Sequence, residues 1–272
     1  MVSCRIPISS FTKTVVFEQN KVATATPTWK DLVSRRCLST TSILEVLRLE
    51  LICSSGSNEL VTILVGKEKK PFAIHKEVAS YSPVLKAAFN SDFLEGQTQT
   101  YILEDASVGG FQLVTQWLYR QAFKSLFTKE ELDKMAALPV NCPLPRDEQH
   151  RIFARQSHLV DAYEVGDYLQ LPRLQNLILD EIEELRLRWG SLLIGSLHYL
   201  YERRPQGDGL RELAFEECRR FIDAEVFLLE NEVLFPKEFL LDCVKADRIN
   251  RGQVDPFTDR NEFKRRFHVS EE

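Results

Sequence analysis

Five histidines and six cysteines are the side chains of this 272-residue chain best suited to hold a metal or to move protons, and their spacing argues against both uses. No two of His75, His150, His158, His198 and His268 lie three or four residues apart, the separation that sets two ligands on one helical face. Cys4, Cys37, Cys53, Cys142, Cys218 and Cys243 contain no C-x-x-C pair, and most fall within apolar or helical patterns, which fits free thiols in a reducing compartment. A phosphate loop needs glycines upstream of its lysine so that backbone amides turn toward the anion, whereas Gly66-Lys67 has none at that spacing and precedes a strand. Neither H-E-x-x-H nor G-x-S-x-G occurs. Glu181, Glu183 and Glu184 read as one exposed helical face. His75 ends an apolar strand at a helix entry and reads as a half-buried imidazole bonded to nearby backbone. The residues therefore assign no catalytic group, no cofactor and no metal, and the chain reads as a binding protein rather than an enzyme. What remains is the chemistry of contact: Phe93-Leu94-Glu95 sets an aromatic beside a carboxylate in a stretch expected to be a loop. That is the make-up of an anchor with a polar rim if Phe93 faces outward, and of ordinary core if it folds back.

The elements that must position these residues are legible from period. Val61-Thr62-Ile63-Leu64-Val65 is β-branched and apolar, Gly66 to Lys70 is a polar turn, and Pro71-Phe72-Ala73-Ile74-His75 is the returning strand of a hairpin. After His75, Val78, Tyr81, Leu85 and Ala88 recur at helical spacing, predicting one amphipathic helix to about Phe89-Asn90. Tyr101-Ile102-Leu103 is a further short strand, and Phe111, Val114, Trp117 and Leu118 line a second helix.

At these residues the chain resembles a known family. The run Val61 to Gly66, then Phe72-Ala73-Ile74-His75-Lys76, Ser80-Tyr81-Ser82-Pro83-Val84-Leu85-Lys86-Ala87-Ala88-Phe89, Phe93-Leu94-Glu95, Ile102-Leu103-Glu104-Asp105, Phe111 and Trp117-Leu118-Tyr119 are similar, in order, to the BTB/POZ domain. Leu159 to Asn176 and His198-Tyr199-Leu200-Tyr201-Glu202 resemble the helical tail of stand-alone BTB proteins of filamentous fungi. The resemblance implies an α/β (α+β) BTB/POZ fold, a small sheet with flanking helices, followed by an all-helical extension. It makes His75, Lys76, Ser82, Pro83 and Tyr119 structural landmarks. It also implies that Phe93, Leu94 and Glu95 form a cullin-docking loop, since BTB adaptors of cullin-RING ubiquitin ligases carry a hydrophobic residue, any residue, then Glu there. Two departures bear on function. Leu60 stands where the family has an Asp, with Glu59 one residue earlier, so the acidic partner of Lys76 in the charged pocket of transcription-linked members is missing or displaced; and Tyr119 is followed by Arg120-Gln121 rather than Tyr-x-Gly.

Around this module, Ser42-Ile43-Leu44-Glu45 has capping-box spacing for a helix over Ile43 to Ile52, although Leu47, Leu49 and Leu51 also alternate as in a strand. Thr128-Lys129-Glu130-Glu131 is a second capping box, ahead of an extended loop with Pro139, Pro143 and Pro145. Asp147 is placed to cap a long helix through Ile152, Leu159, Tyr163 and Leu169, and Pro172 to open the next, with Leu174, Leu177, Ile178, Ile182 and Leu185 on one stripe. Later helices carry Leu193, Ile194, Leu197 and Tyr201; then Leu210, Leu213, Ala214 and Phe221; then Phe239, Leu240 and Cys243. The expected division is an N-terminal segment at 1–41, the BTB/POZ domain at 42–121, an insertion at 122–146, the helical extension at 147–247 and a frayed polar tail at 248–272. Residues 1–41 read as a disordered tail, with a faint presequence-like composition that Val15-Val16-Phe17 and Pro27 interrupt.

Thirty-five basic against forty acidic residues leave a net charge of −5, and the cations at Arg35-Arg36, Lys67 to Lys70, Arg203-Arg204, Arg219-Arg220 and Lys264 to Arg266 are dispersed, reading as solvated faces rather than a phosphate track. No direct nucleic-acid binding is expected. No apolar run approaches the roughly 18 residues of a membrane span. The reading is a protein–protein interaction module of the cytoplasm or nucleus, self-associating through the Ile43–Ile52 helix and serving as a ubiquitin-ligase substrate adaptor. A scaffold or transcription-linked protein without a ligase is the alternative, and an uncharacterised enzyme the remote one.

Overall fold

The computed structural model describes residues 59–137, 144–222, 235–249 and 255–271. The expected segment at 1–41, the Ile43–Ile52 helix, most of the proline loop, and Cys4, Cys37, Cys53 and Cys142 lie outside the described residues.

The hairpin forms as its alternation dictates. In β1 (Leu60–Val65), Val61, Ile63 and Val65 point to one face and are fully buried. β2 (Lys70–His75) returns antiparallel with Val61 opposite Ile74 and Ile63 opposite Phe72, after a turn in which Gly66 and Lys69 take positive φ of 74° and 51°. β3 (Thr100–Leu103) lies parallel on the other side of β1, giving the order β2-β1-β3.

The helix expected from His75 to Phe89 is instead two, α1 (Lys76–Ala79) and α2 (Pro83–Phe89). Pro83 has no N–H to continue a helical ladder and drives Ser82 into an extended conformation, φ −82° and ψ 123°, from which its hydroxyl caps α2 by accepting from the Leu85 amide. Tyr81, assigned to the apolar stripe, lies in the break and is exposed. A short α3 (Leu94–Thr98) follows where a loop was expected, then β3, then α4 (Val108–Arg120), whose Phe111, Val114, Trp117 and Leu118 are buried as the spacing predicts.

In the helical half, α5 (Lys129–Ala136) starts at the predicted capping box, with Thr128 and Glu131 bonded reciprocally. α6 (Arg146–Tyr168) begins one residue before Asp147, so Pro145 is its cap position and Asp147 and Glu148 occupy the first turn. Pro172 opens α7 (Pro172–Trp189), and Gly190, at φ 64°, closes it. A 3₁₀ turn at Leu193–Ser196 precedes α8 (Leu197–Arg203); α9 (Gly209–Phe221) is capped by Asp208, and α10 (Lys237–Ile249) follows. The expected frayed tail is corrected: α11 (Arg260–Phe267) forms there, and Phe263 and Phe267 are buried. Its charges concealed it, because the groups that hold it, Asn176 and Asp180 on α7 and Glu216 on α9, are distant in sequence.

Two close approaches fuse the sheet module to the helices. Where α4 starts, a Cβ on Gly110 would lie 2.7 Å from the Asp161 Cβ of α6, so only glycine lets the helix axes come so near. The buried Ser82 hydroxyl also donates to the Leu169 carbonyl, at 2.8 Å, at the end of α6. One cluster of buried apolar side chains accordingly runs from Val61 to Phe267.

Several charges read as solvated are instead internal. Arg204 reaches Asp167 and Asp208 at 2.9 and 2.6 Å, and Arg219 and Arg220 both reach Glu216, which is 1% exposed. Burial pushes the Glu216 carboxyl up, but Arg220 and Arg219 outweigh it and hold it below the usual range. Asp208, Arg219 and Arg220 stand three or four residues from their partners, a spacing the sequence displays, whereas Asp167, on α6, is a partner of Arg204 that it does not.

Candidate functional site

The landmark residues divide into two sets, one holding the module together and one facing outward. His75 donates its backbone N–H to the Tyr119 hydroxyl at 3.1 Å, and its Nδ1 lies 2.8 Å from the same oxygen. The rings meet edge to face at 5.9 Å. The partner is thus a phenol from α4 rather than the nearby backbone that the sequence suggested. Lys76 extends this clasp: its amide donates to the Glu59 carbonyl at 2.9 Å, and its ammonium lies 3.5 Å from the Glu59 carboxylate. The acid displaced by one residue therefore still reaches the lysine. The Glu59 side chain is 67% exposed, so this pair contributes little to stability. Ser82 is buried, and Pro83 sits exposed in the first turn of α2. His75, Ser82 and Tyr119 act as structural pins.

Phe93, Leu94 and Glu95 form the outward set. Phe93 is the N-cap of α3 with extended backbone and is 76% exposed; Leu94 beside it is 69% exposed. Of the two orientations open to Phe93, the structure places it outward. The turn beneath it is laced on several sides. Ser91 Oγ donates to the Ala88 carbonyl at 2.8 Å and accepts from the Phe93 amide at 3.3 Å. Gln97 donates to the Asp92 carbonyl at 2.8 Å, and Gln99 to the Phe89 carbonyl at 3.1 Å. A Cβ on Gly96 would fall 1.8 Å from the Ser91 carbonyl oxygen, so the turn closes only around glycine. Two large apolar side chains thus stand in solvent on a braced support, which lowers the ordering cost of docking.

Glu95 is half-buried and lies close enough to Tyr101 for its charge to be felt there. Tyr101 holds its phenolic proton more tightly than a free tyrosine, through burial first, then its bond to Tyr168, then Glu95. Its hydroxyl meets that of Tyr168 at 2.9 Å, tying edge strand β3 to the end of α6. Tyr168 is 58% exposed and Ile102 47%. The sequence placed Ile102 in a strand and Tyr168 in the helical tail without marking either as exposed. Tyr168 falls at a helix end where periodicity says nothing of exposure, and Ile102 alternates with the buried Leu103, so it points to the other face of the sheet.

The carboxylates read as an exposed face are paired: Glu181 with Arg155 at 3.3 Å, Glu183 with Arg186 at 2.6 Å, and Glu184 with Arg188. Among the described residues, no three of His, Cys, Asp and Glu gather as metal ligands, and no helix is long and apolar enough to cross a membrane.

Comparison with known families agrees with this geometry. Residues 56–139 match the sequence model of the BTB/POZ domain, a span that runs from just before β1 to just past α5. It includes α5, which the sequence reading had given to an insertion. A search of the curated proteins found no match.

Proposed function

We propose that this protein is a substrate adaptor of a cullin-RING ubiquitin ligase, and that Phe93, Leu94 and Glu95 are its cullin-docking residues. The BTB/POZ domain is a protein–protein interaction module. The reading rests on one observation: Phe93 and Leu94 stand 76% and 69% exposed on a turn whose own hydrogen bonds hold it rigid. A bare aromatic on a rigid turn loses water and gains contact only when a partner covers it, and such central aromatics carry most of the energy of many interfaces. Glu95 beside it supplies a charge that steers association and fixes register.

The test is a pull-down from native extract with the full chain and with a Phe93→Ser/Leu94→Ser variant, cullin being identified by mass spectrometry. Capture by the first and not by the second is expected. Equal capture by both would move the docking surface elsewhere, and a cullin seen with neither, together with self-association, would make the protein a scaffold.

A further inference from the structure

Residues 255–271 lie against the helical half in the manner of a bound peptide. Phe263 and Phe267, four apart on α11, are 3% and 1% exposed, and Phe257 packs with both at 6.2 and 5.9 Å between ring centroids. Beyond α11 the chain is extended, and there Asn176 of α7 grips Val269 at both backbone atoms. The Val269 N–H donates to Asn176 Oδ1 at 2.7 Å, and Asn176 Nδ2 donates to the Val269 carbonyl at 2.9 Å. One turn along α7, Asp180 receives Arg260 and His268 at 3.0 and 3.1 Å. From α9, Glu216 receives Arg266 at 3.0 Å, and Gly209 leaves room for the segment's backbone, since a Cβ there would lie 2.1 Å from the Phe267 carbonyl oxygen. Arg173–Glu271 and Arg220–Asp255, at 3.2 and 3.1 Å, sit at the two ends.

Two features describe how the segment is held. Outside α11, the segment's backbone–backbone hydrogen bonds among the described residues all close on itself: Thr258 to Asp255, Phe263 to Asp259, His268 to Lys264. The body therefore reads it through side chains, as a groove reads a helical ligand through two apolar anchors and a polar frame. An open cleft of about 220 Å³ also lies along the seam, between Arg266, Phe267, His268 and Val269 on one side and Tyr163, Asp167 and Gln175 among others opposite.

We propose that the groove between α7 and α9 is a peptide-recognition site that this chain fills with its own C-terminal segment. From a partner protein it takes a basic helix bearing two aromatic residues four apart, followed by an extended residue whose backbone meets Asn176. The resident segment shows the chemistry that fits, with cations facing Asp180 and Glu216. Being tethered, it competes at high effective concentration, so a partner enters only by displacing it.

The experiment uses the full chain with a protease site placed at Gly252-Gln253, cut after folding, and a fluorescent synthetic peptide of residues 255–271. The labelled peptide is expected to exchange into the cut chain with the helical circular dichroism retained, and to bind the uncut chain at least ~100-fold more weakly because the tether holds the site. A Phe263→Ala or Val269→Pro peptide should compete at least ~10-fold less well, through loss of an anchor or of the N–H that Asn176 accepts. An unrelated peptide that keeps the two phenylalanines, their basic neighbours and the His-Val end should compete. A cut chain that never exchanges against excess peptide, or that loses its helical signal on exchange, would make the segment part of the core and overturn the proposal. So would failure of the unrelated peptide, or equal competition by a scrambled one.

Discussion

Ser82 and Glu217 mark the two extremes of what a buried polar residue does in this molecule. Ser82 is fully satisfied, accepting from Leu85 and donating to Leu169, so one hydroxyl both starts α2 and pins it to the end of α6. Ser82→Ala removes a helix cap and strands a buried carbonyl; it should cost about 1–3 kcal/mol in urea unfolding, read as a lower midpoint at unchanged slope. A change within about 0.5 kcal/mol, as for a surface site, would contradict this pinning role. Glu217 on α9 is fully buried and has no ion-pair partner among the described residues. Burial, then the neighbouring Glu183, push its carboxyl well above the usual range. The folded chain therefore keeps this proton when the unfolded chain, with an ordinary value of about 4.3, has lost it. Its contribution to stability is complete below that value and falls away as pH rises toward the raised folded one. Glu217→Gln is already neutral, so it should raise the melting temperature relative to the parent more at pH 8 than at pH 4.5. An identical shift at both would show that Glu217 does not titrate between them.

Among the elements, the contact of α4 with α6 decides whether the sheet module and the helices fold as one. Gly110→Ala places a methyl 2.7 Å from the Asp161 Cβ and about 3 Å from the backbone of Ala162, where no flexible side-chain end can yield. Overpacking of this kind typically costs about 1–3 kcal/mol, and the midpoint monitored in the sheet module should fall together with that of the helices. Separate transitions would mean that the two halves are energetically independent. The hairpin, α4 and the capping box of α5 were legible in the sequence because each carries its own period or its own cap. The break at Ser82 was hidden, since the spacing of Val78, Tyr81, Leu85 and Ala88 passes unaltered through a proline-started restart. α11 was hidden for a different reason: two phenylalanines among arginines and a glutamate look solvated until Asn176 and Asp180, some ninety residues earlier, are brought beside them. Separation in sequence, 26 residues, likewise concealed Arg155 as the partner of Glu181, whereas Arg219 and Arg220 stand three and four residues from Glu216, at a spacing the sequence displays. For the candidate site, sequence supplied Phe93, Leu94 and Glu95 but not the direction of Phe93, which depends on how Ser91, Gln97 and Gln99 close the turn.

At the scale of the whole molecule, Phe93 and Leu94 stand exposed on a hydrogen-bonded turn, set against one core that joins the sheet module to the helical half. If Phe93 serves binding rather than folding, the two properties must come apart in one variant. The most direct test measures both on Phe93→Ala: affinity for a purified cullin by titration calorimetry, and stability by urea unfolding. The adaptor reading predicts that the parent binds, that the variant loses on the order of 2 kcal/mol or more of binding, about a thirtyfold weaker Kd, and that unfolding changes by no more than about 0.5 kcal/mol. A parent with no measurable affinity for cullin, or a variant that binds as well as the parent, would contradict it.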